Sequence, residues 1–97
     1  MDVDFIIERC GHFLVGEIKR RREDITQGQM ILLRALSASP AFTIFALIGD
    51  IDEHEIWPSE LLLLPKDTWQ PTDRPAFFRF CNDWFKRVDG VWHKEPT

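Results

Sequence analysis

An α/β sandwich with the element order β-β-α-β-β-α is the fold class this chain predicts, on three features. Two short runs rich in β-formers flank a Cys-Gly pair, a cappable helical stretch follows, and an almost wholly apolar octapeptide comes next. A hairpin joined through a helix to a strand covered on both faces is the pattern of mixed α/β layers. The 97 residues make one domain, 1–97. A chain this short buries only about two-thirds of the surface its unfolded form exposes. It is nevertheless 44% hydrophobic, with eight Phe and four Trp, which supplies a core and excludes a disordered segment.

In chain order, residues 4–8 (Asp-Phe-Ile-Ile-Glu) and 13–19 (Phe-Leu-Val-Gly-Glu-Ile-Lys) read as strands. Cys10-Gly11 is the tight turn between them, with Gly11 supplying a positive φ. Asp24 or Thr26 can cap a helix that runs to about Ser39 and ends at Pro40. Residues 41–48, broken only by Thr43, have the pattern of a strand buried on both faces. Residues 60–64 read as a short fourth strand between Pro58 and Pro65, and residues 66–75 as loop. Over residues 75–88, Phe77, Phe80, Cys81, Trp84, Phe85 and Val88 recur at helical spacing and predict an amphipathic helix.

The net charge of −4 argues against a protein that works only by coating phosphate. The charge is uneven: Lys19, Arg20, Arg21 and Arg22 are consecutive, whereas Asp50, Asp52, Glu53 and Glu55 crowd a later loop. No apolar run reaches the about 18 residues of a membrane span. The first residues, Met-Asp-Val-Asp, lack the basic start and apolar core of a secretory signal. Cys10 and Cys81 alone make neither a disulfide framework nor a zinc cluster, so a cytoplasmic protein is expected.

The hairpin brings acids face to face. With Cys10-Gly11 as the turn, Arg9 faces His12, Glu8 faces Phe13, Ile6 faces Val15 and Asp4 faces Glu17. A four-residue loop closing Glu8 on Phe13 gives the same register. Residues two apart share a face, so Glu17 and Lys19 project together beside Asp4. Asp2, which would face Lys19, is a rival to Asp4. Like charges directly opposite destabilise a strand pair, so the two acids are expected to hold something. A hard cation such as Mg²⁺ takes carboxylate oxygens and keeps several waters. The plainer reading is an exposed, mixed-charge hairpin face on which Lys19 bridges to either acid. Gln29 shares helical spacing with Ile25, Leu32, Leu33 and Leu36, and its amide needs a partner there: a carboxylate, a lysine or main chain.

Asp4-Phe-Ile-Ile, a turn, Phe13-Leu-Val-Gly-Glu17-Ile-Lys19 and then Ile25-Thr-Gln-Gly-Gln29-Met-Ile-Leu-Leu together resemble the core of the PD-(D/E)XK nuclease superfamily. The resemblance covers roughly residues 2–50, and the nearest shapes are the virus-type replication–repair nuclease branch and small resolvase-like phage proteins. It implies a compact restriction-endonuclease-like fold lacking the usual first helix. The implied activity is a divalent-metal-dependent endonuclease hydrolysing phosphodiester bonds, with DNA, including branched or replication-linked DNA, as substrate. Mg²⁺ or Mn²⁺ would be held by Asp4, Glu17 and the backbone carbonyl of Ile18. Lys19 would position the attacking water, and Gln29 would support the site or touch the phosphate. Arg20, Arg21 and Arg22 would grip flanking phosphates, unless they are an ordinary solvated loop.

The missing helix would leave one sheet face undercovered, and Phe78 and Trp92 add apolar surface. A homodimer through the C-terminal helix or that bare face is therefore expected. Asp50, Asp52, Glu53, His54 and Glu55 could bind a second metal or simply be solvated, and His12 and His93 stand isolated. Trp84 and Cys81 fit the core, whereas Trp57, Trp69 and Trp92 fall in loops or near the C-terminus, where they could stack on bases or anchor an interface. The alternative to an enzyme is a non-catalytic interaction or inhibitor protein on the same nuclease-like fold. Negative charge, the absent helix and the loop tryptophans support it.

Overall fold

The hairpin forms in the register its sequence dictates. In a computed structural model describing residues 4–94, with side chains described through Gly90, β1 (Phe5–Arg9) pairs antiparallel with β2 (His12–Lys19). Arg9 lies opposite His12, Ile6 opposite Val15 and Phe5 opposite Gly16. Cys10 and Gly11 have φ of 55° and 79°, so both central residues take the left-handed conformation that follows the strand twist. The Glu8 carboxylate accepts the Gly11 N–H at 3.0 Å and pins the turn.

A short 3₁₀ turn (Arg22–Asp24) leads into α1 (Gln27–Ser37), which stops slightly short of the expected Ser39. Thr26, rather than Asp24, is the cap. Its hydroxyl accepts the Gln29 N–H at 3.1 Å while Gln29 Oε1 accepts the Thr26 N–H at 2.9 Å, a reciprocal capping box. The chain then enters β3 (Phe42–Ile51), parallel to β2, which sets Glu17 beside Ala46 and Lys19 beside Ile48.

The fourth strand, β4 (Ile56–Leu63), starts earlier than residues 60–64 suggested and runs through Pro58. Pro58 faces Gly49 next to a register shift in β3, and bulges are where a sheet accommodates proline. A Cβ on Gly49 would lie 2.4 Å from the Trp57 carbonyl oxygen, so only glycine lets the strands close there. The stretch expected to be all loop contains β5 (Gln70–Pro71), which pairs with Glu60 and Leu61. Among the described residues five strands form one sheet, in the order β1-β2-β3-β4-β5. Then α2 (Arg74–Lys94) follows, its first turn capped by Asp73, whose carboxylate accepts the Ala76 N–H at 2.8 Å.

Alternation along β2 and β3 divides the core in two. Val15, Ile44, Ala46 and Leu62 pack with Leu33 of α1. Leu14, Phe45 and Leu47 point the other way and pack with Phe77, Trp84 and Val88 of α2. Each sheet face thus carries a helix, so neither is left bare as one was expected to be. Trp84 is inside, as its spacing predicts, and burial pushes the nearby Cys81 thiol up. Phe45 centres an edge-to-face cluster, its ring 5.5 Å from those of Phe5 and Phe77 and 5.7 Å from Phe80. A Cβ on Gly16 would come within 2.2 Å of that ring, so Gly16 lets Phe45 lie across β2 and fixes the strand that carries Glu17. No described helix is long and apolar enough to cross a membrane.

Candidate metal and phosphate site

Glu17 is the one charged residue in the core among the described residues, 1% exposed. It gets there by alternation: odd residues of β2 face α1, so Glu17 follows Val15 toward the first turn of that helix and lies beside Ala46. Removing a carboxylate from water is costly unless charge and hydrogen bonds compensate. Here Gln29 Nε2 donates to Glu17 Oε1 at 3.2 Å, and Lys19 Nζ stands 3.4 Å from the same oxygen.

The Gln29 amide is held at both ends, its oxygen by the Thr26 N–H and its nitrogen by Glu17. Main chain and carboxylate, alternatives in the sequence, are both its partners. The Lys19 side chain is 29% exposed, so its ammonium meets both the buried carboxylate and solvent. The plainer reading holds for the bridge from Lys19 to an acid and for the exposed Asp4, Ile6 and Glu8, and fails at Glu17, which is buried.

Beyond the last hairpin pair, Asp4 Oδ2 accepts the Ile18 N–H at 2.9 Å. The N–H and C=O of a strand residue leave on the same edge, so the Ile18 carbonyl emerges on the side of Asp4. Asp4 and Glu17 thus flank one backbone segment, Asp4 exposed and Glu17 buried. Two carboxylates and a carbonyl make an all-oxygen donor set, the chemistry that suits a hard divalent cation. Among the described residues no group of three or more His, Cys, Asp or Glu side chains is gathered for a metal ion. Asp2 lies outside the described residues.

The arginine run separates. Arg20 Nη2 donates to the Ile51 carbonyl at 2.6 Å, and Arg21 pairs with Asp24 at 3.0 Å. Arg22 grips both oxygens of Glu60, Nε to Oε1 at 3.1 Å and Nη2 to Oε2, with its guanidinium 5.1 Å from the Trp69 ring centre. The Arg22 bond holds the Glu60 carboxyl below its ordinary value. Glu60 shares a cross-strand row with Lys19 through Ile48. The sequence marks Trp69 as a loop tryptophan that could stack on bases or anchor an interface, and Glu60 only as the start of a strand. Glu60 heads the apolar run 61–64, and only the β3–β4 register reveals its place in that row.

The acidic loop is largely engaged with itself. Asp52 Oδ1 accepts the N–H groups of His54 and Glu55 at 2.9 and 2.7 Å, which holds its carboxyl below the usual range. Glu55 lies 3.6 Å from Arg74. The second-metal reading therefore loses Asp52 to its own turn. Trp57 and Phe78 are 48% and 45% exposed, and the Arg74 guanidinium lies 4.7 and 5.5 Å from their ring centres. The side chain of Trp92 lies outside the described residues.

Comparison with protein-family models, with curated proteins and with solved structures returns no match.

Proposed function

We propose that this chain is a divalent-metal-dependent nuclease that hydrolyses phosphodiester bonds of DNA on a fold of the PD-(D/E)XK type. The observation that carries the reading is the core carboxylate of Glu17, held by Lys19 and Gln29 while Asp4 closes on the adjacent Ile18 backbone. For stability alone an apolar residue of similar volume would serve as well or better there, without the desolvation cost. A retained buried charge fits a chemical role.

Asp4, Glu17 and the Ile18 carbonyl would hold Mg²⁺ or Mn²⁺, whose chemistry when bound is to acidify water and neutralise phosphate charge. Lys19 reaches from Glu17 to solvent, so its ammonium can orient the attacking water and offset charge gathering on the phosphoryl oxygens. Gln29 positions Glu17 through a bond anchored in the helix cap. Arg20, Arg21 and Arg22 supply positive charge for flanking phosphates.

The test is incubation of purified protein with supercoiled, linear and branched DNA plus Mn²⁺. Cleavage of at least one form is expected, with Glu17→Gln folded but inactive. Mn²⁺ should raise the melting temperature of the wild type and not of that variant, by linkage. No cleavage of any form, or cleavage that survives Glu17→Gln, refutes the reading. The second reading is a non-catalytic interaction protein on the same fold, favoured by the exposed Trp57 and Phe78, whose rings both lie close to the Arg74 guanidinium. It predicts no Mn²⁺-dependent shift in melting and loss of partner binding in Trp57→Ala. A homodimer is part of the proposal, on the exposed apolar side chains of Ile6, Ile31 and Phe78.

A further inference from the structure

We propose that Arg22 and Trp69 form a second phosphate subsite along the bound nucleic-acid strand, and that Glu60 occupies it in the free protein in place of the phosphate. This rests on the phosphodiesterase reading above and adds to it the path of the strand. Arg22 directs two N–H groups at the two Glu60 oxygens, the fork geometry by which a guanidinium grips a carboxylate or a phosphate alike. Trp69 backs the guanidinium at 5.1 Å and is itself packed on the core beneath α1, so the plane of the fork is held before any ligand arrives.

Location links this fork to the catalytic residues. Lys19, Ile48 and Glu60 are successive partners across β2, β3 and β4. At about 4.8 Å between neighbouring strands, Glu60 stands about 10 Å from Lys19 along that row. A single strand with one phosphate at Lys19 and laid across β3 meets Arg22 next. The pair is open to such a ligand: the side chains of Arg22 and Glu60 are 50% and 32% exposed. An ion pair in contact with water is weakly held, so one anion can replace another. Arg20 and Arg21 differ, the first bonded to a carbonyl and the second to Asp24 in its own turn.

The experiment measures anisotropy of a fluorescein-labelled oligothymidylate in EDTA, across a range of salt, for wild type, Glu60→Gln, Arg22→Gln and the double variant. Melting curves establish that each protein is folded. Glu60→Gln should bind several-fold tighter than wild type. Arg22→Gln should flatten the plot of log affinity against log salt by about 0.7, the decrement for one phosphate fewer neutralised on a single strand. In the Arg22→Gln background Glu60→Gln should give no such gain in affinity. Equal affinity for wild type and Glu60→Gln, or equal slope for wild type and Arg22→Gln, overturns the proposal. So does a gain of the same size without Arg22, which is then only a change in net charge, and so does the lack of measurable binding by any of the four. Binding that behaves as expected without any DNA cleavage overturns the enzyme reading and leaves this subsite standing.

Discussion

Replacing Gln29 by alanine removes two bonds of unequal strength. One is the reciprocal bond in which Gln29 Oε1 accepts the Thr26 N–H at 2.9 Å, a neutral hydrogen bond worth about 0.5–1.5 kcal/mol. The other is the 3.2 Å bond from Gln29 Nε2 to the buried Glu17 carboxylate, of the charged kind worth about 1.5–3 kcal/mol. Alanine returns a few tenths through better helix propensity, so the expected net loss is about 2–4 kcal/mol. For a domain of this size that lowers the melting temperature by about 10–30 °C. Thr26→Ala removes a different bond, the one in which the Thr26 hydroxyl accepts the Gln29 N–H, leaves both Gln29 side-chain bonds in place and should cost about 1 kcal/mol. Gln29→Glu keeps an acceptor for the Thr26 N–H but sets a second carboxylate against Glu17, and at neutral pH should cost at least as much as alanine. Urea and thermal unfolding followed by circular dichroism reads all three. If Gln29→Ala loses no more than about 0.5–1.5 kcal/mol, the worth of the neutral bond to Thr26, the contact with Glu17 carries no stability and the reasoning for a deliberately fixed carboxylate fails.

Gly16→Ala would put a Cβ 2.2 Å from the Phe45 ring; displacing that ring should cost about 1–3 kcal/mol or more, and an unchanged urea midpoint refutes the packing argument. Arg22 depresses the Glu60 carboxyl below its ordinary value of 4.5. Its contribution is therefore complete above that value and lost as pH falls through the depressed folded value. Glu60→Gln should flatten the acid limb of stability against pH in that window, and a limb identical to wild type refutes the assignment. The homodimer requires a light-scattering mass near twice 11.4 kDa at micromolar concentration, and a mass near 11.4 kDa ends it.

What the sequence determined by itself was local. The turn at Cys10-Gly11 and the two-residue period of strands set the hairpin register from Arg9 and His12 to Phe5 and Gly16, with Lys19 on the Glu17 face; the expected pair of Asp4 with Glu17 lies beyond it, and Asp4 accepts the Ile18 N–H instead. Helical spacing likewise sent Trp84 and Val88 into the core. The Thr-x-x-Gln spacing of a capping box was also present at Thr26 and Gln29, though it says nothing of where the amide nitrogen points. Tertiary structure decided which face of the hairpin is buried, because that depends on where α1 crosses the sheet, and the crossing turned an exposed acid into a core one. It gave Arg20 and Arg22 partners in Ile51 and Glu60, far along the chain, and it covered both faces of the sheet with a helix. The Gly49 bulge let β4 begin before Pro58, and the β3–β4 register brought Glu60 into line with Lys19. Each of these outcomes rests on pairing between residues far apart in the chain, whereas propensity and periodicity act only over a few neighbouring residues.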